Sequence, residues 1–195
     1  MKARPDSLAR ENSSASEKFP VVRAACLVGF MGAGKSSVGA ALAEHLGWPF
    51  VDLDERIQCR ETLSIEEIFQ QSGEAEFRRM EHAALRDLLE EATSAPAVIA
   101  LGGGAFVQPG NAMLLKDASV VTVFLDAPVD ELFRRCQEQA VNRPLRRDRE
   151  QFGRLHQERL PAYATALLRV DTGGKNVDTV VAEVARGLKS KGVRK

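Results

Sequence analysis

From residue 20 onward the chain alternates short apolar runs with longer stretches in which apolar residues recur at helical spacing. The runs at 24–28 (AACLV) and 97–101 (AVIAL) carry no polar side chain at all, the pattern of strands covered on both faces. Strands are predicted at 24–28, 50–52, 97–101, 120–125 and 168–170. Helices are predicted at 35–46, at 64–71 with Ser64 and Glu67 as a capping box, at 75–92 with Phe77, Met80, Ala84, Leu88 and Leu89 on one face, at 129–139, around 150–166, and at 177–189. Strand and helix in alternation predict an α/β architecture: a five-stranded parallel sheet with helices on both faces.

Composition narrows this only a little. With 195 residues, 44% hydrophobic and 28% charged, the chain has enough apolar material for one domain, expected over 20–195. Residues 1–19 mix charges with serines and lack an apolar core, so they are expected to form an unfolded tail that is neither a secretory signal nor a transit peptide. No run approaches the roughly 20 apolar residues that span a bilayer. The 27 basic residues match the 27 acidic ones, leaving no global field to draw the protein onto nucleic acid or anionic lipid. Cys26, Cys59 and Cys136 are odd in number and widely spaced, which predicts a reducing cytoplasm and three thiols serving as core hydrophobes. His45, His82 and His156 lack metal-ligand spacing, and Trp48 reads as core.

The first strand runs directly into GFMGAGKS, residues 29–36, which fits G-x-x-x-x-G-K-[ST] in the strand-to-helix setting that motif requires. Glycines let backbone N–H groups converge on phosphate oxygens, the helix N-terminus adds partial positive charge, Lys35 reaches the outer phosphates, and Ser36 is placed to hold a magnesium ion. The expected fold is therefore that of a P-loop NTPase.

The motif identifies a polyphosphate donor and leaves the acceptor open. The second strand ends in VDLDERI, with Asp52 and Asp54 expected two positions apart on the strand at the edge where open α/β sheets bind ligands. Two carboxylates there suit a magnesium water shell and a base for a hydroxyl nucleophile, and a helix N-cap is the structural alternative. The third strand leads into Gly102, Gly103 and Gly104, a strand end stripped of side chains against which a ligand can lie. Arg78, Arg143 and Arg159 add forked guanidinium groups suited to carboxylate or phosphate.

In combination these features resemble the shikimate kinases, small P-loop enzymes that phosphorylate the 3-hydroxyl of shikimate with ATP in chorismate and aromatic amino acid biosynthesis. The resemblance runs from about residue 22 to the final helix: the phosphate loop, the D-x-D strand end, F-R-x-x-E at 77–81, the G-G-G turn, R-P-L at 143–145 and E-R-x-P-x-Y at 158–163. It implies that Gly32, Ala33, Gly34, Lys35, Ser36, Ser37, Arg135 and Arg143 contact ATP, with Arg135 near the adenine. It implies that Asp54, Arg78, Gly102, Gly103, Gly104 and Arg159 hold shikimate. Asp54, Lys35 and Arg143 would be catalytic, and Ser36 and Asp52 would hold magnesium, Asp52 through water. A mobile lid is implied at about 140–150, where RRDRE stands in place of the usual apolar residues, and Leu53 replaces the small hydroxyl residue common between the two aspartates. The enzyme is expected to be a cytoplasmic monomer with no nucleic-acid or membrane partner. The alternatives are another small-metabolite kinase of the gluconate type and a non-catalytic nucleotide-binding homologue.

Overall fold

Five strands pair in parallel in the order β2-β3-β1-β4-β5, and the structure, a computed structural model, describes residues 23–138 and 148–193. The expected tail at 1–19 and Arg143, with most of the segment read as a lid, lie outside the described residues. The strands are β1 (Ala24–Val28), β2 (Phe50–Asp52), β3 (Ala97–Ala100), β4 (Val121–Asp126) and β5 (Leu168–Asp171). β1 is central and every residue in it is at most 1% exposed. Fully burying a Leu or Val side chain stabilises by about 1.5–3 kcal/mol, so this apolar run specifies the middle of the sheet before any turn chemistry is considered.

The helices are α1 (Lys35–Leu46), α2 (Leu53–Glu61), α3 (Ile65–Ser94), α4 (Pro109–Asp117), α5 (Val129–Glu138), α6 (Arg149–Tyr163) and α7 (Val177–Ser190). α1 packs on α7 and against β1 and β3, while α2 packs on α3. α3 opens with the expected capping box, Ser64 Oγ accepting the Glu67 N–H while Glu67 accepts from the Ser64 N–H. It is broken at Gly73 (φ 76°, ψ 174°), which corresponds to the gap between the two helices predicted there.

Two helices were not anticipated. α2 buries only Leu53 and Ile57 among charged residues, and α4 buries only Asn111 and Leu115. A face with one apolar pair, or with a polar member, leaves too weak a period to read. Leu53, the departure noted between the aspartates, is 0% exposed and belongs to the core. Trp48 is buried as expected. Cys26 and Cys136 are buried, and burial pushes the Cys26 thiol up to about 12. Cys59 is exposed, correcting its assignment to the core, because it lies on the outward face of α2.

β1 pairs with β3 in the register Leu27↔Ala100. The chain leaves β1 for β2 on one side and leaves β3 for β4 on the other, so the carboxyl ends of this pair form the topological switch point where such sheets bind ligands.

Candidate active site

The loop after β1 wraps the N-terminus of α1. Gly34 caps the helix at φ 86° with no side-chain acceptor, so the first-turn amides keep their donors directed into the loop. Gly32, at φ 80°, has no room for a side chain: a Cβ would lie 2.5 Å from the Leu132 carbonyl and 2.9 Å from Cys136 Sγ on α5. Gly32, Ala33, Gly34, Lys35, Ser36 and Ser37 thus line one continuous loop and first helical turn. Lys35 Nζ donates to the Gly29 and Phe30 carbonyls at 2.9 and 3.1 Å, folded over the loop it belongs to.

Ser36 Oγ donates to Asp52 Oδ2 at 2.8 Å, bringing the two expected magnesium-side residues together. Asp52 is the last residue of β2 and caps α2, its Oδ1 accepting the Asp54 N–H at 3.0 Å. Asp54 therefore stands in the first turn of α2. The expectation that both carboxylates belong to the strand is corrected: the strand stops where Asp52 offers a cap, and the chain turns into a helix there.

That turn swings Asp54 over the glycine triplet. A Cβ at Gly102 would lie 2.5 Å from Asp54 Oδ1, and one at Gly104 would lie 2.8 and 2.9 Å from the terminal nitrogens of Arg78. A Cβ at Gly103 would lie 3.7 Å from Arg159 Nη1 and 3.8 Å from Gly29 O and Met31 N. None of the three glycines has a left-handed φ. At Gly102 and Gly104 another side chain already fills the side-chain space, whereas at Gly103 a Cβ would meet only ordinary van der Waals contacts. Asp54 from α2, Arg78 from α3 and Arg159 from α6 converge on one turn that abuts the phosphate loop.

Each arginine is held. Arg159 Nη1 donates to Gly103 O at 3.2 Å beside the Tyr163 hydroxyl, which donates to the same carbonyl. Tyr163 is buried, and desolvation pushes its phenol up to about 12, which keeps it a donor. Arg78 Nη1 reaches both Glu81 carboxylate oxygens at 3.0 Å, and Nη2 reaches Glu74 at 3.1 Å. Glu81 is 1% exposed; burial raises its carboxyl pKa while the Arg78 guanidinium draws it back down. Glu81 and Tyr163 fall inside the F-R-x-x-E and E-R-x-P-x-Y motifs, yet their supporting roles went unread. The i,i+3 spacing of Arg78 and Glu81 on a helix is the signal that could have found the first.

Arg135 ties three elements: Nη1 donates to Thr172 Oγ1 at 3.1 Å and Gly32 O at 3.5 Å, and Nη2 to Thr172 O at 2.7 Å and Glu131 at 2.6 Å. It lies between the phosphate loop and the end of β5. His156 is buried against Phe30, ring centroids 5.3 Å apart, and desolvation lowers its pKa; its role is packing. Among the described residues no three His, Cys, Asp or Glu side chains cluster to hold a metal ion. A divalent cation at this cleft would be shared between protein oxygens and phosphate, the mode of magnesium, and the Ser36–Asp52 oxygen pair fits it.

Comparison with known proteins follows the same lines. A family profile described as Shikimate kinase matches residues 31–189. The shikimate kinase of Geobacter metallireducens is 44% identical over 173 residues, spanning 87% of this chain and 94% of that protein. The crystal structure of shikimate kinase from Aquifex aeolicus superposes with a TM-score of 0.76 at 36% identity, covering 88% of this chain and 99% of that one. Shikimate kinase from Acinetobacter baumannii, solved in complex with shikimate, gives a TM-score of 0.79 at 31% identity, covering 90% and 98%.

Proposed function

The chain belongs to the shikimate kinase family, and on that premise we propose that its cleft transfers the γ-phosphoryl group of ATP to the 3-hydroxyl of shikimate, releasing ADP and shikimate 3-phosphate. The observation that carries the reading is the convergence of Asp54, Arg78 and Arg159 on the Gly102–Gly104 turn, against the loop that cradles the donor. Two guanidinium groups and one carboxylate complement a ligand that offers one carboxylate and several hydroxyls.

The proposed roles follow from position. Arg78 and Arg159 grip the substrate carboxylate, and Asp54 orients the acceptor hydroxyl and takes its proton late in the reaction, a contribution of about 10²–10⁴ in rate. Lys35 exchanges its carbonyl partners for phosphate oxygens when nucleotide enters, and Arg143 neutralises charge on the transferring group. Gly32, Ala33, Gly34, Ser36 and Ser37 present amides and hydroxyls to the phosphates, and Arg135 borders the adenine. Ser36 would hold magnesium and Asp52 would hold it through water; the ion, when bound, would supply neutralisation of phosphate charge. A cytoplasmic monomer is part of the same reading; the cytoplasmic part is supported by three cysteines that are odd in number and widely spaced along the chain. A gluconate-type acceptor also offers one carboxylate and several hydroxyls, so the family match over residues 31–189 is what favours shikimate over it, and a non-catalytic homologue has no need of Lys35, Ser36, Asp52 and Asp54 together.

The test is a coupled ADP-release assay with shikimate, quinate, gluconate and nucleoside monophosphates as acceptors. Turnover with shikimate at least tenfold above every other acceptor is expected; preference for any other acceptor overturns the assignment.

A further inference from the structure

Asn111 is polar, 1% exposed, and outside every motif singled out in the sequence. It stands in the first turn of α4, and its side chain reaches two parts of the acceptor site at once. Nδ2 donates to the Ala105 carbonyl at 3.0 Å, directly after the glycine triplet, and to Glu81 Oε2 at 3.4 Å. Oδ1 lies 2.8 Å from His82 Nδ1. The carbonyl of Ala105 and an ionised Glu81 can only accept, so the amide nitrogen must face them. The amide oxygen must then face His82, whose Nδ1 must carry the proton. One hydrogen-bonded chain results: His82 fixes the Asn111 amide, Asn111 fixes Glu81 and the backbone at Ala105, and Glu81 holds Arg78 through both carboxylate oxygens.

We propose that Asn111 is a positioning residue for acceptor binding, holding the Arg78 guanidinium in fixed register through Glu81. The inference rests on the reading above in which Arg78 grips the substrate carboxylate. A buried Glu81 already satisfied by Arg78 does not need a second donor for charge balance alone. What the second donor adds is direction. Arg78 has a further partner in the exposed Glu74, and a carboxylate pinned from the far side limits the angles at which the guanidinium can meet it.

The test uses the full chain and steady-state kinetics in both substrates. Asn111→Leu keeps the branched shape and removes all three hydrogen bonds; the shikimate KM is expected to rise by about tenfold, equivalent to about 1.4 kcal/mol, with the ATP KM within about twofold of wild type. In an Arg78→Ala background the same substitution is expected to add nothing to the shikimate KM, because its effect passes through Arg78. His82→Ala, at an exposed position, removes only the donor that orients the amide and is expected to raise the shikimate KM by about threefold, so the proposal stays testable if Asn111→Leu folds poorly. An unchanged shikimate KM in both variants, an equal rise in the ATP KM, or an additive effect on top of Arg78→Ala overturns the proposal. If Arg78→Ala alone leaves the shikimate KM unchanged, the assignment of Arg78 falls and this inference falls with it.

Discussion

Asp52 Oδ1 accepts the backbone N–H of Asp54 at 3.0 Å while Asp52 Oδ2 accepts from Ser36 at 2.8 Å, so one oxygen of the first aspartate caps α2 and the other faces the phosphate loop. The second is turned toward Gly102. Asn serves as an N-cap as well as Asp, so Asp52→Asn preserves α2 and removes only the charge. It is expected to raise the magnesium concentration needed for half-maximal turnover. Asp54→Asn is expected to lower kcat by about 10²–10⁴, or about 3–5 kcal/mol of barrier, with magnesium-ATP still binding. Titrating magnesium in both variants decides this; rescue of Asp54→Asn by excess magnesium would exchange the two roles.

Gly104→Ala tests space rather than backbone. The position has no left-handed φ, and the atoms a Cβ would strike are the tips of the flexible Arg78 side chain. Thermal stability is therefore expected to stay within about 1 kcal/mol of wild type, the scale of an ordinary surface or turn substitution. The shikimate KM is expected to rise at least tenfold as Arg78 is displaced. A large loss of Tm without a change in KM would show that Arg78 does not need this space.

Removing Arg78 strands Glu81. In the wild type, burial already raises the folded-state pKa of Glu81 above its unfolded value, so its contribution to stability is full below the unfolded pKa and is lost as pH rises through the folded one. Without the guanidinium that value rises further and the loss extends over a wider range. Arg78→Ala is expected to destabilise by about 3–5 kcal/mol at pH 8 and by less at pH 5, where the carboxyl takes up a proton. Denaturant unfolding at the two pH values measures it, and an equal loss at both would contradict the account.

Arg159 and Arg143 separate binding from chemistry. Arg159→Ala is expected to weaken shikimate by about 1.5–3 kcal/mol, the scale of a charged hydrogen bond, with ATP affinity kept. Arg143→Ala is expected to reduce kcat with shikimate affinity kept. Calorimetric titration of each variant with both ligands is the check; equal losses of ATP affinity in the two would refute the division.

Legibility in the sequence tracked how local each cause was. The five strands could be read because an apolar run is buried by its own composition, and the phosphate loop because its glycines and lysine act within one turn. α2 and α4 could not, since each anchors through two residues and one of those is an asparagine. Asp54 was placed on the strand because alternation says nothing about where a cap ends it. Asn111, 30 residues from Glu81 in the chain, acquires meaning only from contacts with distant residues. Nothing near Asn111 in the sequence states that a polar side chain there is satisfied.

The pairing of β1 with β3 has a consequence for how such a protein can diversify. The donor loop follows one strand and the glycine turn follows its neighbour, with Leu27 and Ala100 in register, so the gap between phosphoryl donor and acceptor is set by the hydrogen-bond ladder of the sheet. The groups proposed to grip the acceptor come from α2, α3 and α6, outside that ladder. A lineage can therefore exchange one acceptor for another by changing residues on three helices, while the reach across which the phosphoryl group must travel is inherited unchanged.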